Sequence, residues 1–131
     1  MLAAAALLGA ASCSTAPGCG TLPGRPMLLA TLYFGRNIAD GAMVPDQDWE
    51  DFLDAEVTPR FPDGFTVTDG KGQWLDNDTS AVVRESSKVL LVVTPSAPAS
   101  LGKLDEIAVA YKQRFHQQAV GETLAQACAV F

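Results

Sequence analysis

Apolar residues along this chain follow several distinct rhythms. Leu2 to Ala11 is apolar without a break. Met27 to Arg36, MLLATLYFGR, is apolar on both parities of an extended chain and predicts a strand. Leu28, Ala30, Leu32 and Phe34 share one face, and Leu29, Thr31 and Tyr33 the other. Asn37 to Pro45 carries Gly, Asp and Pro and predicts a loop. Trp49, Phe52, Leu53 and Val57 then recur at helical spacing among many acids. The Asp46 carboxylate is placed to cap that helix. Pro59 is expected to stop it, because a residue before proline is steered away from helical angles.

Phe65 to Asp69 alternates as a second strand. Asp69-Gly70-Lys71-Gly72 predicts a reversal or bulge, after which Gln73-Trp74 resumes extended structure. Asp76 to Ser80 is polar and turns the chain. Val82 to Thr94 is the strongest strand, apolar on both faces from Val89 to Val93, as in the centre of a sheet. Pro95 to Ser100 predicts a loop. Leu101, Leu104, Ile107, Ala108, Tyr111 and Phe115 mark a second amphipathic helix, and Thr123 to Phe131 a last strand. The order strand, helix, strand, strand, helix, strand predicts an α+β fold of the ferredoxin-like βαββαβ type. Its four-stranded antiparallel sheet carries two helices on one face.

The run before Cys13 is too short to span a bilayer, which takes about 20 residues, and it suits an export signal. Ala10, Ala11 and Ser12 are small, as a signal peptidase requires, and Cys13 is where a lipoprotein pathway would attach lipid. No Lys or Arg precedes Cys13, so a start codon further upstream is expected. The alternative is a core helix of a cytosolic protein. These features divide the chain into a signal over 1–12, a tether over 13–26 and one domain over 27–131. Somewhat under 120 of the 131 residues then form the mature chain, which keeps the whole net charge of −6. That charge, with no basic stripe, argues against nucleic acid as a partner. Cys19 and Cys128 remain as an even pair in an oxidising compartment and predict a disulfide. Two buried free thiols are the alternative. In the expected topology the first and last strands are neighbours, and the two cysteines lie near the start of one and the end of the other.

The stretch Thr58 to Val67 (TPRFPDGFTV), Gly72-Gln73-Trp74 and Arg84 to Lys88 (RESSK) resembles a family of bacterial secreted proteins, the domain of unknown function 3574. Phe34-Gly35-Arg36 and the Trp49 to Phe52 segment are similar to it too. The resemblance covers about Leu28 to Phe131. It implies an exported small domain and no established activity or catalytic residues.

Candidate chemistry is sparse. Arg36, Arg60, Arg84, Glu85, Lys88 and Tyr33 are the candidate ligand-binding residues. Guanidinium groups converging at one end of a sheet could hold a carboxylate or phosphate. The plainer reading pairs these charges with the acid-rich first helix or leaves them solvated. In the Arg60 to Gly64 turn, Asp63 could accept backbone amides while Arg60 pairs with a carboxylate. His116 is the single histidine, and no GxSxG or similar run marks a nucleophile. Asp76 to Ser80 reads as a turn rather than a calcium loop. No metal and no cofactor is expected. Two helices cover one side of the sheet only, so Leu29, Tyr33 and part of Val89 to Val93 would face outward, where a second copy, a protein partner or an apolar ligand could cover them. The first expectation is thus a binding module, lipid-anchored at Cys13 in the cell envelope, that uses the open sheet face. The alternative is a small extracytoplasmic enzyme acting on an anion through the Arg/Glu cluster.

Overall fold

The computed structural model describes residues 18–131; the expected export signal and Cys13 lie outside the described residues. Strand β1 (Arg25–Gly35) leads through a short turn at Ala39–Gly41 to helix α1 (Asp46–Phe52). Strands β2 (Thr66–Leu75) and β3 (Val82–Thr94) form a hairpin, and helix α2 (Pro98–Phe115) returns the chain to β4 (Gly121–Ala129). The sheet order is β2-β3-β1-β4 with every pair antiparallel. This is the expected ferredoxin-like α+β arrangement.

The alternation in β1 and β3 decides which face is buried. Leu28, Ala30, Leu32 and Phe34 of β1 and Leu90 and Val92 of β3 are at most 5% exposed, under the helices. Their neighbours Leu29, Thr31, Leu91 and Val93 are only half-buried, on the open face. From α1 come Trp49 and Phe52, and from α2 Leu104, Ile107, Tyr111 and Phe115.

Several local expectations are corrected. β1 and β4 each begin two residues earlier than the pattern suggested, and α2 begins at Pro98, inside the expected loop. Proline suits that first helical position, where its missing N–H would be unpaired anyway. Asp46 does not cap α1: the N-cap is Pro45, and the Asp46 carboxylate is drawn into ion pairs instead. Thr58 adopts helical angles in spite of Pro59 (φ −55°, ψ −44°). The last turn, Leu53–Val57, widens so that the Thr58 amide bonds to Leu53 O at 2.9 Å, and the chain departs only after it. The Asp69–Gly72 run neither reverses nor bulges; it pairs residue by residue with Lys88–Glu85. Gly70 sits opposite Ser87, whose Oγ would lie 2.7 Å from an added Cβ, so this glycine serves close approach within the ladder. Asp76 does turn the chain, accepting the Asp78 amide at 2.9 Å.

The predicted bridge is present: Cys19 and Cys128 are disulfide-bonded, with Cα atoms 5.7 Å apart. No described helix is long and apolar enough to cross a membrane.

Candidate functional site

The charged candidates fall into separate places. Arg36 follows β1, and its amide donates to Ser86 O at 3.0 Å, which holds it beside the early part of β3. Its guanidinium donates from Nε to Val44 O at 3.0 Å and meets Asp46 at 3.0 Å. Lys88, on the helix-covered face of β3, reaches Asp46 at 3.1 Å and Asp69 at 2.6 Å. Asp69 is its direct partner across the β2–β3 ladder. Arg36 and Lys88 therefore do converge, but on the carboxylate at the start of α1. The hydrogen bond to Asp69 is the main cause that holds the Lys88 ammonium above its ordinary pKa. The Lys88 hydrogen bond, then the Lys88 and Arg36 charges, hold the Asp46 carboxyl below its usual 3.8.

A depressed carboxyl pKa means that the cluster stabilises the fold fully above the unfolded value and loses that contribution as pH falls through the folded one. Asp46→Asn is therefore expected to lower stability at neutral pH, with the gap to wild type closing as pH drops below 3.8. Paired denaturation curves across acidic pH check this; a gap that persists in acid contradicts the pairing.

Glu85 and Tyr33 lie on the open face. The Glu85 carboxylate folds over Gly35, in the space a Cβ would fill. On the other side of the same residue, Tyr111 Oη donates to Gly35 O at 2.9 Å. Burial, above all, pushes the Tyr111 hydroxyl up to about 12. Because the unfolded chain would ionise first, stability is expected to fall as pH rises from about 10 towards 12. Tyr111→Phe should flatten that fall, which alkaline unfolding curves with phenolate absorbance would read.

Arg84 is exposed near the start of β3. Arg60 stands at the opposite end of the sheet, beside the start of β2. It binds Glu106 at 2.9 Å and Glu56 at 2.8 Å, the latter from the segment continuing α1. Its turn closes by the Gly64 amide donating to Phe61 O at 3.2 Å, with Asp63 exposed. His116 takes left-handed angles (φ 54°, ψ 36°) at the end of α2, and its amide donates to Lys112 O.

A groove of about 790 Å³ opens at that same end of the sheet, where β3 runs past the start of β2. Met27 and Leu29 of β1 and Leu91 and Val93 of β3 line its floor. The uninterrupted run Arg60 to Thr66 lines one side, and Arg25, Lys103 and Phe131 complete the rim. Lys103 Nζ sits 5.7 Å above the Phe61 ring, which orients that wall. The volume lies within the range of about 300–1,000 Å³ usual for small-molecule sites. Of the candidate residues only Arg60 reaches it. Arg25, Phe65, Lys103 and Phe131 carried no sequence signal for a site. Leu29 and Leu91 were legible only as outward-facing strand residues. Among the described residues no cluster of side chains is built to hold a metal ion.

The fold and this groove define a small ferredoxin-like α+β domain with an open, part-apolar sheet face. The chain belongs to the family described as protein of unknown function (DUF3574), whose family model matches residues 29–131. No curated protein matches it. Among solved structures it is similar to a phage SAM lyase in complex with S-methyl-5'-thioadenosine. That match has 15% identity and a TM-score of 0.60 and covers 79% of this chain and 90% of that chain. It is also similar to phage SAM lyase in the apo state, at 14% identity and TM-score 0.58, covering 81% and 92%. At these identities the likeness is one of fold.

Proposed function

We propose that this chain is a binding module that takes a small organic molecule in the groove between the sheet floor and the Arg60–Thr66 wall. The observation that carries this reading is the groove itself: an apolar floor large enough for a drug-sized molecule, with charged Arg25, Arg60, Asp63 and Lys103 among the residues around it. Such a lining suits a ligand with a flat or apolar body and a polar end. The same fold holds S-methyl-5'-thioadenosine in one solved structure, which makes that compound the first probe. Titrating it into the protein during thermal unfolding should raise the melting temperature. Saturation at about 100 times the dissociation constant contributes about 2.7 kcal/mol, a shift of roughly 10 °C for a domain of this size. Leu91→Asp, which puts a charge into the floor, should abolish the shift. A flat titration in wild type counts against the reading.

A second reading is favoured by the activity named for both solved neighbours: an enzyme acting on a sulfonium nucleoside. Incubation with SAM, followed by chromatography for S-methyl-5'-thioadenosine, separates it from simple binding. An enzyme acting on an anion through the Arg/Glu cluster has less support, because Arg36, Arg60 and Lys88 are each committed to carboxylates of this chain.

We also propose that the protein works outside the cytoplasm, tethered by lipid on Cys13. The apolar run before Cys13 and the disulfide support this. Incorporation of labelled fatty acid, lost in Cys13→Ser, tests it.

A further inference from the structure

We propose that a second copy of this chain covers the open sheet face, related to the first by a two-fold axis, so that Arg25 of each copy meets Glu85 of the other. The inference needs no bound molecule and stands whether or not the groove takes a ligand.

The charge pattern of the face points to this partner. Across all four strands, the side chains alternating outward are apolar, aromatic, small or hydroxylic, with two exceptions. Those are Arg25, at the start of β1, and Glu85, near the start of β3. They have opposite signs and sit at opposite ends of the face, because β1 and β3 are antiparallel. Glu85 forms no ion pair with another described residue, and its carboxylate leans over Gly35, at the far end of β1 from Arg25. Arg25 and Gly35 are equally distant from Ala30, which lies between Leu29 and Thr31. Turning one copy over about an axis that crosses β1 there lays Arg25 against the partner's Glu85, and the reverse, as an isologous interface requires.

The acidic side of α1 disfavours contacts between copies at that helix. The chain carries a net charge of −6, and among the described elements α1 is crowded with acids on its exposed side. Like copies repel there, whereas the sheet face, with one Arg and one Glu among apolar and hydroxylic side chains, is nearly neutral. Four strands about 4.8 Å apart and roughly 33 Å long present about 600 Å² per copy. Two such faces bury about 1,200 Å², the lower bound of stable specific interfaces. Leu29, Leu91 and Val93 belong to both this face and the groove, so the second copy would roof the groove and set the partner's Glu85 beside its rim.

Sedimentation velocity on the full chain tests the proposal. Wild type is expected to be a dimer at micromolar concentration. Arg25→Glu and Glu85→Arg should each raise the dissociation constant at least about tenfold, by placing like charges together at two symmetric points. The double reversal, Arg25→Glu with Glu85→Arg, should restore the dimer. Thr31→Lys, beside the axis, brings two ammonium groups face to face and should give a monomer that retains the wild-type circular-dichroism spectrum. None of these changes touches the apolar N-terminal run, so association through that run would be indifferent to all of them. A wild-type monomer, an oligomer insensitive to the single reversals, or a double reversal that fails to restore pairing would each overturn the proposal.

Discussion

Reducing the Cys19–Cys128 bridge is expected to lower the melting temperature by roughly 15–20 °C while leaving the secondary structure at 25 °C intact. The two cysteines are 109 residues apart, so the bond closes almost the whole described chain into one loop. In the chain-entropy account a loop of that length removes about 4.7 kcal/mol of freedom from the unfolded state. The folded state has little to lose in return. Cys128 pairs with Pro26 across the β1–β4 ladder, and the Leu22 amide donates to Cys19 O at 3.0 Å, closing the turn just before β1. Gly24, at φ +96°, lets the chain pass directly beside Ala129 O on its way into that ladder. The sheet therefore already holds the two ends together, and cutting the bond should not move them at moderate temperature. Cys19→Ser, Cys128→Ser and the double variant are expected to lose the same amount, because one bond is removed in every case. Thermal unfolding with and without reductant reads the effect. A loss under about 5 °C would mean that the unfolded chain is already compact enough for the bridge to constrain little.

Much of this architecture is legible in the residues, for identifiable reasons. β3 spans Val82–Thr94 as its alternation suggests, because apolar residues on both parities fit only a central strand. The faces of β1 are legible from the same rhythm. Turn-like residues mislead where a neighbour sets the geometry. Gly70 and Gly72 read as a reversal, yet Ser87 and Glu85 across the ladder hold that segment straight. Thr58 before Pro59 reads as a helix stop, yet one widened turn accommodates it. Asp46 reads as a cap, but two cations that arrive from β1 and β3 outcompete the helix amides for its carboxylate. The pairing of cluster charges with acids near the first helix is foreseeable; the gathering of both Arg36 and Lys88 on one carboxylate is not. The groove is the least legible feature. Its lining runs from Arg25 to Phe131, and it exists only because β3 overhangs β2 beside the Arg60–Thr66 wall.

Phe34→Ala is expected to cost about 3–5 kcal/mol, a fall of roughly 12–20 °C in melting temperature. Phe34 is fully buried and joins the sheet to both helices. Its ring lies 4.7 Å from Tyr111 of α2, 5.2 Å from Trp49 and 6.1 Å from Phe52 of α1, measured between centroids. Two of these contacts are edge-to-face, a geometry that contributes about 0.5–1.5 kcal/mol per pair beyond area burial. Truncation loses the transferred area and these pairings, and it leaves a void among rigid rings that cannot collapse into it. The void would also border Trp49, whose indole N–H is buried with no acceptor among the described residues. Phe34→Leu restores most of the volume and none of the ring geometry. If burial dominates, it should cost less than about 1.5 kcal/mol, as volume-conserving exchanges do. If edge-to-face pairing dominates, the leucine variant should fall well towards the alanine one. Denaturant unfolding of both variants, at unchanged slope, decides between these contributions. A small loss for Phe34→Ala itself would show that α1 and α2 can close over the gap, against the picture of a rigid aromatic centre.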